Sequence, residues 1–139
     1  MKEGLIIFTR VPIAGKTKTR LEKFLTKEEC AEIHKNFLKD IKITTENINR
    51  DIFVFYTPED KDNILYDIFE DKINYKIQEG KDLGEKMYRA IEYVLNKNYD
   101  SCILIGADIP YLKEEDLEIA FNILNNKDVI AEAQTGTGK

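Results

Sequence analysis

Between Arg10 and Arg20 the chain gathers four cations, Arg10, Lys16, Lys18 and Arg20, together with Gly15 and the hydroxyls of Thr17 and Thr19. Guanidinium and ammonium groups give polyphosphates charge-assisted hydrogen bonds, and a glycine lets backbone come close to a ligand. The composition therefore suits a phosphate clamp, with Arg10, Gly15, Lys16, Lys18 and Arg20 contacting a nucleotide. A solvated basic stretch at a helix start has the same composition, and these residues alone do not separate the two uses. The spacing is not that of a Walker loop, GxxxxGK[ST].

Further along, Gln78-Glu-Gly-Lys-Asp-Leu-Gly84 combines glycines with amide and carboxylate groups just ahead of a helical pattern. Gln78 and Asp82 could read a nucleobase or a ribose there. Capping the helix is the plainer use of Asp82, because Glu85 follows three residues later and caps are common. Gly106-Ala-Asp108-Ile-Pro110 sets one carboxylate after the most apolar run of the chain. Asp108 could hold Mg²⁺ or Mn²⁺ together with ligand phosphates and water. A structural Asp opening a turn before Pro110 is the alternative. With a basic loop nearby, a cation bridging to phosphate would give these features one purpose.

Other reactive residues offer less. His34, between Ile33 and Phe37 in a helical pattern, has no evident partner and is expected to be structural, on the helix surface or half-buried. No Ser/His/Asp or Cys/His arrangement supports nucleophilic hydrolysis. Cys30 and Cys102 lie far apart without a CxxC spacing, so no zinc site or disulfide framework is indicated, and Cys102 is expected to be buried in an apolar strand.

These loops need a frame, and the hydrophobic pattern supplies one. Gly4–Arg10 reads as a buried strand, ended by a loop in which Pro12 and Gly15 forbid regular structure. Thr26 and Glu29 have capping-box spacing, and Cys30, Ile33, Phe37, Ile41 and Ile48 then follow near helical period. Asp51–Thr57 is a second strand stopped by Pro58; Ile64, Leu65, Ile68 and Phe69 mark a short helix; Ile73–Gln78 is a third strand. Leu83, Met87, Ala90, Ile91, Val94 and Leu95 form one apolar stripe on the next helix. Ser101–Gly106 is a fourth strand, Glu114–Leu124 a helix, and Asp128–Ala131 a fifth strand. Such alternation implies an α/β fold, a Rossmann-like and mainly parallel sheet with helices on both faces. In such sheets ligands bind beyond the carboxyl ends of the strands, where the loops just described fall.

The bulk properties agree. The 139 residues fit one domain, and 42% hydrophobic with 34% charged residues is the balance of a folded globular chain. A net charge of −5 argues against nonspecific binding to nucleic acid or to an anionic membrane. The apolar run Leu5–Phe8 is too short for a signal-peptide core or a membrane span, so the cytoplasm is the expected compartment.

Four segments, Phe8-Thr-Arg-Val-Pro12, Gly15-Lys-Thr-Lys-Thr-Arg-Leu21, Gln78-x-Gly-x-Asp-Leu-Gly-x-x-Met87 and Leu104-Ile-Gly-Ala-Asp-Ile-Pro110, resemble in this order a bacterial family of GT-A-like glycosyltransferases. That family is related to the 2-phospholactate guanylyltransferases of cofactor F420 synthesis, and the resemblance spans residues 4 to about 131. It implies a nucleotide-sugar or nucleoside-triphosphate site with a divalent metal, Mg²⁺ or Mn²⁺, near the Asp of the Gly-x-Asp-x-Pro motif. Carried onto this chain, Lys16, Lys18 and Arg20 would face phosphates, Gln78, Gly80 and Asp82 the nucleoside, and Asp108 the metal. Lys18, Arg20 and Asp108 would then serve catalysis.

The expected function is transfer from a nucleotide-activated donor, metal-dependent glycosyl transfer first, guanylyl-type nucleotidyl transfer second. A noncatalytic nucleotide-binding fragment is the third reading. The ending departs from the family pattern: Thr135 of Ala133-Gln-Thr-Gly-Thr-Gly-Lys139 stands where the family's Ala-x-Asp-Gly-Gly-Tyr segment has its Asp. The expectation is one nucleotide-binding domain, residues 1–139, lacking the carboxyl-terminal part of the family domain. An uncovered sheet edge would then favour a homodimer or a marginally stable monomer.

Overall fold

The computed structural model describes residues 2–107 and 112–124. Four strands, β1 (Glu3–Arg10), β2 (Asp51–Thr57), β3 (Ile73–Ile77) and β4 (Ser101–Gly106), form one sheet in the order β3-β2-β1-β4, every neighbouring pair parallel. Helices α1 (Lys27–Thr45), α2 (Ile64–Phe69), α3 (Leu83–Leu95) and α4 (Glu114–Leu124) complete the alternation. The expected fifth strand at 128–131 lies outside the described residues.

Side chains alternate across a strand, so each strand feeds two cores. Leu5, Ile7, Ile52, Val54 and Ile105 pack with Leu38 and Ile41 of α1, Leu65 and Ile68 of α2, and Leu117 and Phe121 of α4. On the opposite face Ile6, Phe8, Phe53 and Phe55 pack against Ala90 and Val94 of α3. Both faces of the sheet are covered, which is why the strands read as nearly continuous apolar runs.

Two helix starts are set by the local chemistry expected of them. Thr26 accepts from Glu29 N at 3.0 Å while Thr26 N donates to Glu29 Oε1 at 2.8 Å, a complete capping box for α1. Asp82 accepts from Glu85 N at 2.8 Å and caps α3.

The expected apolar stripes hold in part: Cys30 and Ile41 of α1 and Met87, Ala90, Ile91 and Val94 of α3 pack in the cores, while Phe37, Leu83 and Leu95 do not. In α1 the residues facing the core are Cys30, Ala31, His34, Leu38, Ile41 and Thr45, whereas Phe37 is exposed. On the outer side Lys18 reaches over the exposed Phe37 ring at 4.6 Å, a cation–π contact. In α3 Leu83 and Leu95 are exposed, and Ala90 and Val94 carry the buried contact. Cys102 is only partly buried, on the α3 side of the sheet, and burial pushes its thiol up to about 11. Among the described residues no helix is long and apolar enough to cross a membrane.

At the amino end of the strands Arg50 ties three elements together. It pairs with Glu3 of β1 at 2.8 Å and Glu118 of α4 at 2.9 Å, and its guanidinium lies 4.5 Å from the Phe121 ring centre. This network sits at the end of the sheet away from the loops considered next.

Candidate functional site

Register fixes where the loops emerge. Arg10 pairs with Thr57, Tyr56 with Ile77, and Phe8 with Gly106, so the strands finish nearly level. The segments after β1, β3 and β4 therefore leave from one edge of the sheet. Parallel neighbours lie about 4.8 Å apart, so β4 is one spacing from β1 and β3 about 10 Å away on the other side.

The loop after β1 folds back on itself before α1 begins. Arg10 Nε donates to the carbonyl of Lys16 at 2.8 Å, and Lys16 N donates to the carbonyl of Ile13 at 2.9 Å. Gly15 turns with φ of +85°, in the left-handed region that glycine enters without a side-chain penalty. A short 3-10 turn, Thr19–Lys23, follows, and α1 starts only at Lys27. Lys16 and Lys18 precede the short turn and Arg20 lies within it, while α1 starts at the Thr26 cap that the sequence indicated.

Arg10, Lys16 and Arg20 are exposed and Lys18 is half-exposed. None of these cations forms an ion pair among the described residues, whereas Lys42, Arg50 and Arg89 do. Cations without ion-pair partners among the described residues, at the carboxyl end of a parallel sheet in a chain of net charge −5, make a local field suited to an anion.

The loop after β3 is tied to the same edge through Gln78. Its backbone N donates to Tyr56 O at 2.7 Å, and its Nε2 donates to Phe55 O at 3.0 Å and to Thr9 O at 3.2 Å. Gln78 therefore reaches across β2 to β1, spending its amide nitrogen on backbone, while no bond to its carbonyl oxygen occurs among the described residues. Gly80 has φ of +146°, and a Cβ there would lie 2.8 Å from Lys86 N, so the loop runs hard against the first turn of α3. Asp82 uses Oδ1 as the helix cap, and no bond to Oδ2 occurs among the described residues. The cap and a ligand contact are compatible, one oxygen for each.

Asp108 lies outside the described residues. The strand leading to it is well placed: Gly106 is in register with Phe8, and buried Ala107 follows. Among the described residues no group of three His, Cys, Asp or Glu side chains could hold a metal ion.

His34, expected to be structural, on the helix surface or half-buried, is in fact buried, with Nε2 3.1 Å from Thr9 Oγ1 and Nδ1 in short contact with Thr17 Oγ1. Sequence separations of 25 and 17 residues hide this cluster. A threonine ending an apolar strand and another inside the basic loop were the only hints.

A four-stranded parallel sheet with helices on both faces, with a cationic loop and a glycine-containing loop leaving its carboxyl edge, defines a Rossmann-like α/β domain. The chain belongs to the family described as "Uncharacterized protein conserved in bacteria" (DUF2064), whose pattern matches residues 41–138. That span contains Gln78, Gly80, Asp82 and Asp108 but not the basic loop.

Curated relatives extend the match to almost the whole chain. It is 30% identical over 136 residues to a 2-phospho-L-lactate guanylyltransferase of Methanocaldococcus vulcanius, covering 96% of this chain and 58% of that protein. It is 32% identical over 128 residues to the protein of the same name from Methanosphaera stadtmanae, covering 88% and 54%. Among solved structures, a candidate nucleotide-diphospho-sugar transferase from Desulfovibrio desulfuricans G20 superposes with a TM-score of 0.81 at 30% identity, over 90% of this chain and 55% of that one. A cytidylyltransferase from Leptospira borgpetersenii shares the fold, with a TM-score of 0.54 at 20% identity over 91% of this chain and 50% of that one. All four carry transferase names, and the chain spans about half the length of each.

Proposed function

We propose that this chain is the nucleotide-binding part of a transferase that acts in the cytoplasm on a nucleoside triphosphate or a nucleotide sugar, and that nucleotidyl transfer from GTP is its first reading. The observation that carries the proposal is that Lys16, Lys18 and Arg20, none in an ion pair among the described residues, leave the same sheet edge as the Gln78–Asp82 loop. Polyphosphate lies along the cations, held by charge-assisted hydrogen bonds that Arg10 and the Gly15 backbone supplement. Gln78 Oε1, the Gly80 backbone and Asp82 Oδ2 are the groups offered to base and ribose.

Asp108, beyond β4 and next to the basic loop in strand order, is proposed to hold Mg²⁺ or Mn²⁺ with phosphate oxygens and water. One carboxylate plus ligand oxygens suits Mg²⁺, which keeps several waters and is commonly bound through substrate phosphates. Such a cation would stabilise charge on the departing phosphate group, while Lys18 and Arg20 hold the phosphate chain in place.

Nucleotidyl transfer is put first because the curated relatives matched here are guanylyltransferases. Glycosyl transfer, the first expectation from sequence, is the second reading, favoured by the likeness to the Desulfovibrio protein. The products distinguish them. Incubation with GTP, Mn²⁺ and a phosphorylated 2-hydroxy acid would release pyrophosphate under the first reading. Release of a nucleoside diphosphate from a nucleotide sugar would support the second, and neither product with any nucleotide bound would leave a binding fragment.

A further inference from the structure

Among the described residues the buried polar or charged side chains are Thr9, Thr17, His34 and Thr45. Thr45 returns its hydroxyl to its own helix, donating to Ile41 O at 2.9 Å. The others form a single chain between three segments. Thr9 Oγ1 donates its only proton to Arg10 O at 2.7 Å, so at the 3.1 Å contact with His34 Nε2 it must accept. His34 therefore donates through Nε2, and in the neutral ring Nδ1 is left to accept from the Thr17 hydroxyl. The Thr9 carbonyl, for its part, accepts from Gln78 Nε2 at 3.2 Å.

We infer that His34 is a positioning residue for the candidate nucleotide site: with Thr9 it clamps the middle of the basic loop, at Thr17, to the carboxyl end of β1, and so holds that loop in fixed register with the Gln78 loop. The inference rests on the proposed function for its consequence, though not for its geometry. Thr17 lies between the cations Lys16 and Lys18, and among the described residues neither neighbour pairs with an acid. The loop needs an internal anchor if its cations are to meet phosphate in one arrangement. A buried hydroxyl or imidazole is costly unless bonded, and seating the loop brings Thr17 into the bonded chain with Thr9 and His34. Apolar residues would bury as well but would leave the loop free to slide.

Hydrogen exchange of the loop amides, Gly15 to Thr19, and a calorimetric titration of GTP with Mn²⁺ test this on the same proteins. Thr17→Val keeps shape and removes the hydroxyl. It should speed exchange in that segment about fivefold and weaken GTP by a similar factor, the weight of one ordinary hydrogen bond. Thr17→Ser should restore both. His34→Asn offers an acceptor near Nδ1 and should retain more loop protection than His34→Gln, whose amide nitrogen replaces only Nε2. Unchanged exchange and affinity in Thr17→Val, or equal loss in Asn and Gln, overturns the clamp. Wild-type protein that fails to bind GTP while its loop exchange still responds to Thr17→Val sinks the proposed function and leaves the clamp standing.

Discussion

Replacing Gly80 with alanine probes the tightest contact of the candidate site. The added Cβ would lie 2.8 Å from Lys86 N and 3.1 Å from the Glu85 carbonyl carbon, in the first turn of α3. Neither is a flexible side-chain end, and the turn is braced by Asp82, which accepts from Glu85 N at 2.8 Å and from Lys86 N at 3.0 Å. Loop and helix must separate until the contact opens from 2.8 Å to the 3.4 Å of ordinary packing, and alanine must also hold φ at +146°. Overpacking and a disfavoured backbone conformation each cost roughly 1 to 3 kcal/mol, so a combined loss of about 2 to 4 kcal/mol is expected after partial relaxation. Gly84→Ala is the internal control. Its Cβ would meet only Asp82 Oδ1 at 3.5 Å, and within α3 alanine should gain about 0.5 to 1 kcal/mol over glycine. Urea unfolding of both variants, paired with GTP titration, reads the result. A Gly80→Ala protein as stable as wild type, or a Gly84→Ala protein equally damaged, would refute the reasoning.

Three further outcomes follow from other parts of the molecule. Arg50→Met keeps the packing on Phe121 but strands Glu3, whose side chain is only 11% exposed; urea unfolding should show a loss of about 2 to 4 kcal/mol, discounted from a fully buried pair because Glu118 is 39% exposed. Burial, then the hydrogen bond to Asp51, raises the Tyr99 hydroxyl from 10.0 to about 12. The folded state holds that proton longer than the unfolded state, so the stability it contributes is complete below pH 10 and is lost as pH rises from 10 to about 12; Tyr99→Phe should flatten this alkaline slope in unfolding titrations. Asp108→Asn should abolish the gain in GTP affinity produced by Mn²⁺ while leaving binding in EDTA nearly intact, and an equal Mn²⁺ effect in both proteins would assign Asp108 to turn structure.

The sheet was legible because parallel strands buried on both faces are unbroken apolar runs, as at Leu5–Phe8 and Ile52–Phe55, and Pro58 and the Thr26 and Asp82 caps marked where elements change. Helix faces were less legible. Phe37 and Leu38 are adjacent, and only the helix's placement on the sheet decides that Leu38 is buried while Phe37 faces outward beneath Lys18. The loops were recognised from composition, but what seats them was not: Gln78 spends its amide on two strands, and His34 meets threonines distant in sequence. Pairwise contacts of this kind leave no periodic trace, and only the folded chain brings their members together.

The central claim is that phosphate of a nucleotide lies against Lys18 and Arg20 at the carboxyl edge of the sheet. Calorimetric titration of GTP, with Mn²⁺, into wild type, Lys18→Ala and Arg20→Ala tests it most directly. Arg20 forms no ion pair among the described residues, so Arg20→Ala should hardly move the melting temperature, whereas Lys18→Ala also loses the contact with the Phe37 ring at 4.6 Å and should lower it slightly. Each lost charge-assisted bond is worth about 1.5 to 3 kcal/mol, which predicts GTP binding weaker by about tenfold or more in each variant. Wild-type affinity in both would contradict the account.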